Sequence, residues 1–159
     1  MKVLSFDPGG DTGWAYQSPQ VDPNDTTAFM MGDVKTAKIT DFLLQWDLKK
    51  NPVDIVVIEA YRIRETKRDL SSNVGIKLIT VENIGRVQFW CEMNGIEYVE
   101  YETKHKPTIW KATGVKVDKS VPKALSHRLD AWNIGRWHLI NKRLAPTLLE
   151  IQMRQNGEL

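Results

Sequence analysis

Hydrophobic and polar positions follow two different periods along the chain, and the switches between them divide it into elements. Lys2 to Phe6 is a short apolar run that meets Asp7 and reads as a strand. Gly9, Gly10 and Gly13 supply a turn, and Trp14 to Gln17 returns as a second strand. Pro19, Asp22, Pro23, Asn24 and Asp25 mark a loop, after which Ala28 to Val34 forms a third strand and closes a meander. From Lys38 the apolar positions Ile39, Phe42, Leu43, Trp46 and Leu48 fall at helical spacing, predicting an amphipathic helix that ends before Pro52. Asp54 to Glu59 holds the continuous β-branched run Ile55-Val56-Val57-Ile58, the mark of a central strand covered on both faces.

Tyr61 to Ser72 is polar and basic and reads as a loop. Ser71 or Ser72 caps a long helix from about Asn73 to Met93, stopped by Asn94-Gly95. Its stripe of Val74, Leu78, Val81, Ile84 and Val87 is expected to pack on the sheet. Ile96 to Tyr101 is another strand, followed by a basic segment punctuated by Pro107 and Gly114. Two helices are predicted after it, over 119–139 with Pro122 in the first turn and over 141–155. Strands first, then alternating helix and strand, imply an α/β domain with a mixed sheet and helices on both faces. The whole chain, 1–159, reads as one domain, with a core to about 139 and a helical extension over 141–159.

Composition narrows the function classes. At 159 residues, 42% hydrophobic and 26% charged, the chain supports one well-buried core. No apolar run approaches the ~20 residues of a membrane span, and MKVLSF meets Asp7 too soon for a signal peptide. Cys91 is the only cysteine, which excludes an intrachain disulfide and a cysteine-rich zinc site. Its apolar helical setting reads as a buried, inert thiol, in keeping with a reducing, cytoplasmic location. The net charge of +2 says less than its distribution. The first third is acidic, whereas Lys104, Lys106, Lys111, Lys116, Lys119, Lys123 and Arg128 face Asp118 alone. Arg62, Arg64, Lys67 and Arg68 form a second cluster after Glu59. Cations clustered beside isolated acids suggest a polyanion bound near a site that needs carboxylates, and a solvated surface is the equally weighted alternative.

Two of those acids stand where strands end. Val3, Ser5 and Asp7 share one strand face, as do Ile55, Val57 and Glu59, so neighbouring strands would bring two carboxylates side by side. Such a pair raises one pKa or calls for a cation, and hard carboxylate oxygens suit magnesium or manganese. In the late helix His127 and Asp130 are three apart, on one face. Packed across the sheet end, that helix adds two ligands, and the four residues then suit two divalent ions about 3.5–4 Å apart. Each piece also has a plain reading: Asp7 as a turn residue, Glu59 paired with Arg62 or Arg64, and His127 with Asp130 as an exposed helical pair. The combination in this order is more specific than any one of them.

These residues resemble the RuvC family of Holliday-junction resolvases within the RNase H-like superfamily. Asp7-Pro8-Gly9 with Thr12-Gly13-Trp14-Ala15 looks like the family's first motif, and Val57-Ile58-Glu59 like its second acidic strand. Val117-Asp118-Lys119 resembles the lysine-bearing stretch before the final helix, and His127-Arg128-Leu129-Asp130-Ala131 the closing ligand motif. The resemblance implies a five-stranded mixed sheet flanked by helices, a homodimer, and symmetric nicking of four-way junctions in branched DNA. It implies two Mg2+ or Mn2+ ions held by Asp7, Glu59, His127 and Asp130, with Lys119 and Lys111 near the scissile phosphate. Lys116, Lys123, Arg62, Arg64, Lys67 and Arg68 complete the expected DNA-binding set. Tyr61 stands where the family places a junction-probing aromatic, and stacking on an unpaired base is the contact expected of it. In the family the long helix joins the dimer interface, which points to Phe89 and Trp90; Trp132, Trp137 and His138 are read as packing residues. The first turn is one residue shorter than the usual pattern and carries an additional acid, Asp11, features that hint at a phage or mobile-element origin and hence a host cytoplasm. Other readings are a fork, flap or RNA-processing nuclease of the same superfamily, and a non-catalytic junction-binding protein. A sugar-kinase-like ATPase shares the strand-Asp-Gly opening, but the chain lacks room for the second domain its cleft requires.

Overall fold

The computed structural model describes residues 1–9, 11–19, 29–60 and 74–158. Tyr61, Arg62, Arg64, Lys67 and Arg68 lie outside the described residues. Five strands form one sheet: β1 (Val3–Asp7), β2 (Asp11–Gln17), β3 (Phe29–Lys35), β4 (Ile55–Ala60) and β5 (Glu97–Glu102), in the order β3-β2-β1-β4-β5. β1, β2 and β3 pair antiparallel, whereas β1 with β4 and β4 with β5 are parallel. The five-stranded mixed sheet with helices on both faces is as expected. β4 is central and buried along its whole length, which explains its unbroken β-branched run.

The five α-helices among the described residues are α1 (Ile39–Gln45), α2 (Val74–Asn94), α3 (Lys106–Thr113), α4 (Lys123–Asn141) and α5 (Leu148–Gln155). α1 and α2 cover one face of the sheet. Leu4, Phe6, Tyr16, Val56 and Ile58 meet Ile39, Leu43, Ile84, Val87, Trp90 and Cys91 there. α3 and α4 cover the other face, where Val3, Ile55 and Val57 meet Ile109, Ile134 and Leu139. Alternation along β1 and β4 sends even-numbered side chains to the first layer and odd-numbered ones, Asp7 and Glu59 included, to the second.

Four expectations need correction. The helix from Lys38 is shorter than its apolar spacing, because the chain leaves α1 at Trp46, whose ring packs on Trp14, Tyr16 and Phe42. The basic segment after β5 contains α3, a helix of eight residues with Ile109 as its buried anchor, too short to show an apolar stripe. The final helix begins after Thr147 rather than at 141, where Thr147 and Glu150 form a capping box. In α2 the buried face is Thr80, Asn83, Ile84, Val87, Trp90 and Cys91, whereas Leu78 and Val81 are 51% and 41% exposed. Trp90 is therefore a core residue, while Phe89 is 63% exposed. Cys91 is buried as expected. Burial, aided by Glu92, pushes its thiol up to about 12, so it stays protonated and inert.

Candidate metal centre

The sheet register creates the site. β1 and β4 pair in parallel from Val3 opposite Ile55 to Phe6 opposite Ile58, so one step further Asp7 and Glu59 stand level at the same sheet end. α4 crosses that end and brings Asp130 and His127. The crossing is close: a Cβ added at Gly13 would lie 2.1 Å from the His127 carbonyl, so only glycine lets this turn of α4 reach β2. One carboxylate oxygen from each of Asp7, Glu59 and Asp130 falls within a cluster in which all are within 4.8 Å of one another, and all three residues are buried. His127 Nδ1 lies 2.8 Å from Asp7 Oδ2. The four residues singled out from sequence are thus together, with three acids at the centre and the imidazole on the Asp7 side.

The electrostatics are those of a site short of positive charge. Burial, and next the Asp7 carboxylate, push the Glu59 carboxyl up to about 8 against the pull of Lys106. Burial likewise raises Asp130. The hydrogen bond to Asp7 raises His127 despite its partial burial. Glu59 Oε2 is buried with no hydrogen-bond partner among the described residues, an acceptor that a proton or a bound cation would satisfy. The three carboxylates together could hold a divalent metal ion, and hard oxygen donors of this kind suit cations such as magnesium, calcium or manganese.

Lys106 is the residue that sequence reasoning missed. Its Nζ lies 3.1 Å from Glu59 Oε1 and 2.8 Å from Asp130 Oδ2. Burial opposes its charge, but Glu59, Asp7 and Asp130 outweigh that and hold the ammonium above the ordinary lysine range. The signal was present. β5 runs parallel to β4 with Tyr101 opposite Glu59, so residues just after β5 return to the same sheet end. Pro107, in the first turn of α3, marks where a helix begins there.

The other lysines lie outside the cluster. Lys111, Lys116, Lys119 and Lys123 are exposed, and none is within ion-pair distance of the three carboxylates. Lys116 pairs with Asp118 at 3.0 Å. Lys123 lines a shallow cleft beside the centre with Asp11, Asp33 and His127. Arg128 pairs with Asp33 on the wall of that cleft. His138, read as structural, is buried, with Nδ1 3.1 Å from the Tyr101 hydroxyl, and burial lowers its pKa. Among the described residues no helix is long and apolar enough to cross a membrane.

No protein-family model and no curated protein matches this sequence. Solved structures do match its fold. T. thermophilus RuvC in complex with Holliday junction substrate is 16% identical, with a TM-score of 0.61 over 93% of this chain and 99% of that one. A second Thermus thermophilus RuvC structure is 17% identical, with a TM-score of 0.57 over 93% and 100%. The Fowlpox virus resolvase in complex with substrate Holliday junction DNA is 13% identical, with a TM-score of 0.51 over 89% and 98%. The fold is therefore the one these resolvases share, along nearly their whole length.

Proposed function

We propose that this protein is a metal-dependent endonuclease that resolves Holliday junctions and related branched DNA. The observation that carries this reading is the buried Asp7–Glu59–Asp130 cluster where α4 crosses the end of β1 and β4, in a fold similar to RuvC. Divalent ions bound there would activate the attacking water and neutralise the leaving oxygen. The protein's own residues hold and tune that centre. His127 orients the Asp7 carboxylate through the 2.8 Å contact. Lys106 holds a partly buried positive charge against Glu59 and Asp130, where it would offset oxyanion charge developing on the phosphate. A water oxygen forms the new bond to phosphorus and its proton leaves to solvent or His127. The P–O3′ bond breaks and O3′ takes up a proton from solvent, leaving 5′-phosphate and 3′-hydroxyl ends.

Lys111, Lys116, Lys119 and Lys123, with the cluster from Arg62 to Arg68, supply phosphate contacts that give affinity without sequence reading. A homodimer supplies the second centre needed for symmetric nicking. The exposed apolar side of α2, with Leu78, Val81, Phe89 and Met93, is the face it would use. Nicking of mobile and fixed four-way junctions in magnesium, with product mapping, tests the reading. Asp7→Asn should lower the single-turnover rate at least about a thousandfold, some 4 kcal/mol of transition-state stabilisation, while junction affinity holds or tightens. Equal cleavage by that variant, or linear duplex cut as readily as junctions, would reject the assignment.

A further inference from the structure

The turn that follows Asp7 is held from both sides of the sheet. On the α4 side, a Cβ at Gly9 would come within 3.3 Å of His127 Cε1, so the imidazole rests on the Gly9 backbone. On the α2 side, Asn83 reaches the same turn: its Nδ2 donates to the Gly9 carbonyl and to Thr12 Oγ1, both at 3.3 Å. Asn83 and Thr12 are fully buried, and Asn83 adjoins Ile84 of the layer that holds Phe6, Val87, Trp90 and other apolar side chains.

An amide is a poor choice for stability at such a position. Burying it is costly, and its bonds to Gly9 and Thr12, each at 3.3 Å, are at the long end of the useful range. A leucine-sized side chain would fill the layer with less polar desolvation. What the amide adds is direction, since it grips Gly9, two residues after Asp7, and Thr12 in β2 at once. We infer that Asn83 is a positioning residue for the metal centre, fixing Gly9 and Thr12 and, through Gly9, the Asp7–His127 pair. The inference rests on the metal-centre reading above. Gly9 lies between the Asn83 amide and the His127 ring, so a turn released on the α2 side lets His127 move and Asp7 lose its 2.8 Å partner.

The test uses the full chain and Mn2+ as probe. Titration calorimetry should show Mn2+ affinity about tenfold weaker in Asn83→Ala, the low end of what supporting contacts to metal ligands contribute. Amide hydrogen exchange at Thr12 and Gly13 should quicken about tenfold, with Leu4 and Val56 unchanged. Thr12→Val removes one acceptor at nearly constant shape and should give the same changes at smaller size, and it stands in if Asn83→Ala does not fold. The double variant should add little to Asn83→Ala, as expected of residues acting through one contact. A lower Tm with Mn2+ affinity and turn exchange both at wild-type values would overturn the inference and leave Asn83 a packing residue. Absence of Mn2+ binding in the wild type would reject the metal reading instead, and the exchange rates at Thr12 and Gly13 would then decide for or against Asn83 alone.

Discussion

The two faces of the sheet are made of different materials. The face under α1 and α2 is aromatic and thick, with Phe6, Trp14, Tyr16, Phe42 and Trp46 in mutual edge and tilted contact and Trp90 sealing the layer. The face under α4 is thin and polar at one end. Ser5 and Gly13 let the helix approach closely, Gln17 Nε2 donates to the Trp132 carbonyl at 2.9 Å, and Asp7, Glu59 and Asp130 meet beyond them. One strand serves both faces by alternation. Bulk on the even side of β1 gives rigidity, and its absence on the odd side brings charges together at short range. Apart from Asn83, through which the α2 layer reaches Gly9 and Thr12, folding free energy and chemistry are thus divided by a single backbone, and substitutions on the two sides should fail in different ways.

Trp90→Ala should give the largest effect. Removing a buried indole from the aromatic layer is expected to cost about 3–5 kcal/mol of stability. In the protein that remains folded, Mn2+ affinity should stay within about twofold of wild type, because Asp7, Glu59 and Asp130 gather on the other face of the sheet. Denaturant unfolding and calorimetry on the same sample measure both. A large loss of Mn2+ affinity at unchanged stability would erase the distinction between the faces.

The aromatic face was only partly legible in the sequence, and the reason is instructive. Periodicity finds a helix face when one side is apolar and the other polar. α2 is apolar on two sides, since Leu78, Val81, Phe89 and Met93 are exposed while Ile84, Val87 and Trp90 are buried. The stripe that includes Leu78 and Val81 therefore follows the open side as much as the buried one, and the polar anchors Thr80 and Asn83 carry no hydrophobic signal at all. The acid face was easier. Period-two alternation in β1 and β4 places Asp7 and Glu59 on one side whatever the helices do, and His127 with Asp130 share a helical face by spacing alone. Lys106 was hidden for a different reason: among so many lysines between Lys104 and Lys123, only the parallel register of β5 singles out the one that turns inward.

Gly13→Ala probes the thin face. A methyl group there would sit 2.1 Å from backbone atoms of His127, and backbone cannot rotate away as a side chain can. Overpacking of this kind costs about 1–3 kcal/mol, less than the indole. The loss of Mn2+ affinity should nevertheless be far greater than for Trp90→Ala, because α4 carries both His127 and Asp130. Circular dichroism melts paired with Mn2+ titrations would show it. Metal affinity that survives Gly13→Ala intact would mean that the close approach of α4 does not set the site.

The gentlest perturbation changes no residue. Glu59 is raised from 4.5 to about 8 in the folded protein, by burial first and by Asp7 second. The native state therefore holds a proton that the unfolded chain has already released. Its stabilising contribution is complete below about pH 4.5 and is lost as pH rises through about 8, with His127, also raised, adding in the same direction above its ordinary 6.5. Metal-free protein should thus lose Tm steadily from pH 5 to 8, at no more than about 1.4 kcal/mol per pH unit for one proton. With saturating Mn2+ the trend should reverse, since binding must expel that proton and so strengthens as pH rises. Lys106→Met sharpens the test: without the ammonium 3.1 Å from Glu59, the carboxyl holds its proton to higher pH and the metal-free decline extends upward. Melts across that range, with and without Mn2+, distinguish a coupled acid cluster from three independent carboxylates, for which metal-free stability would instead be level or rise with pH.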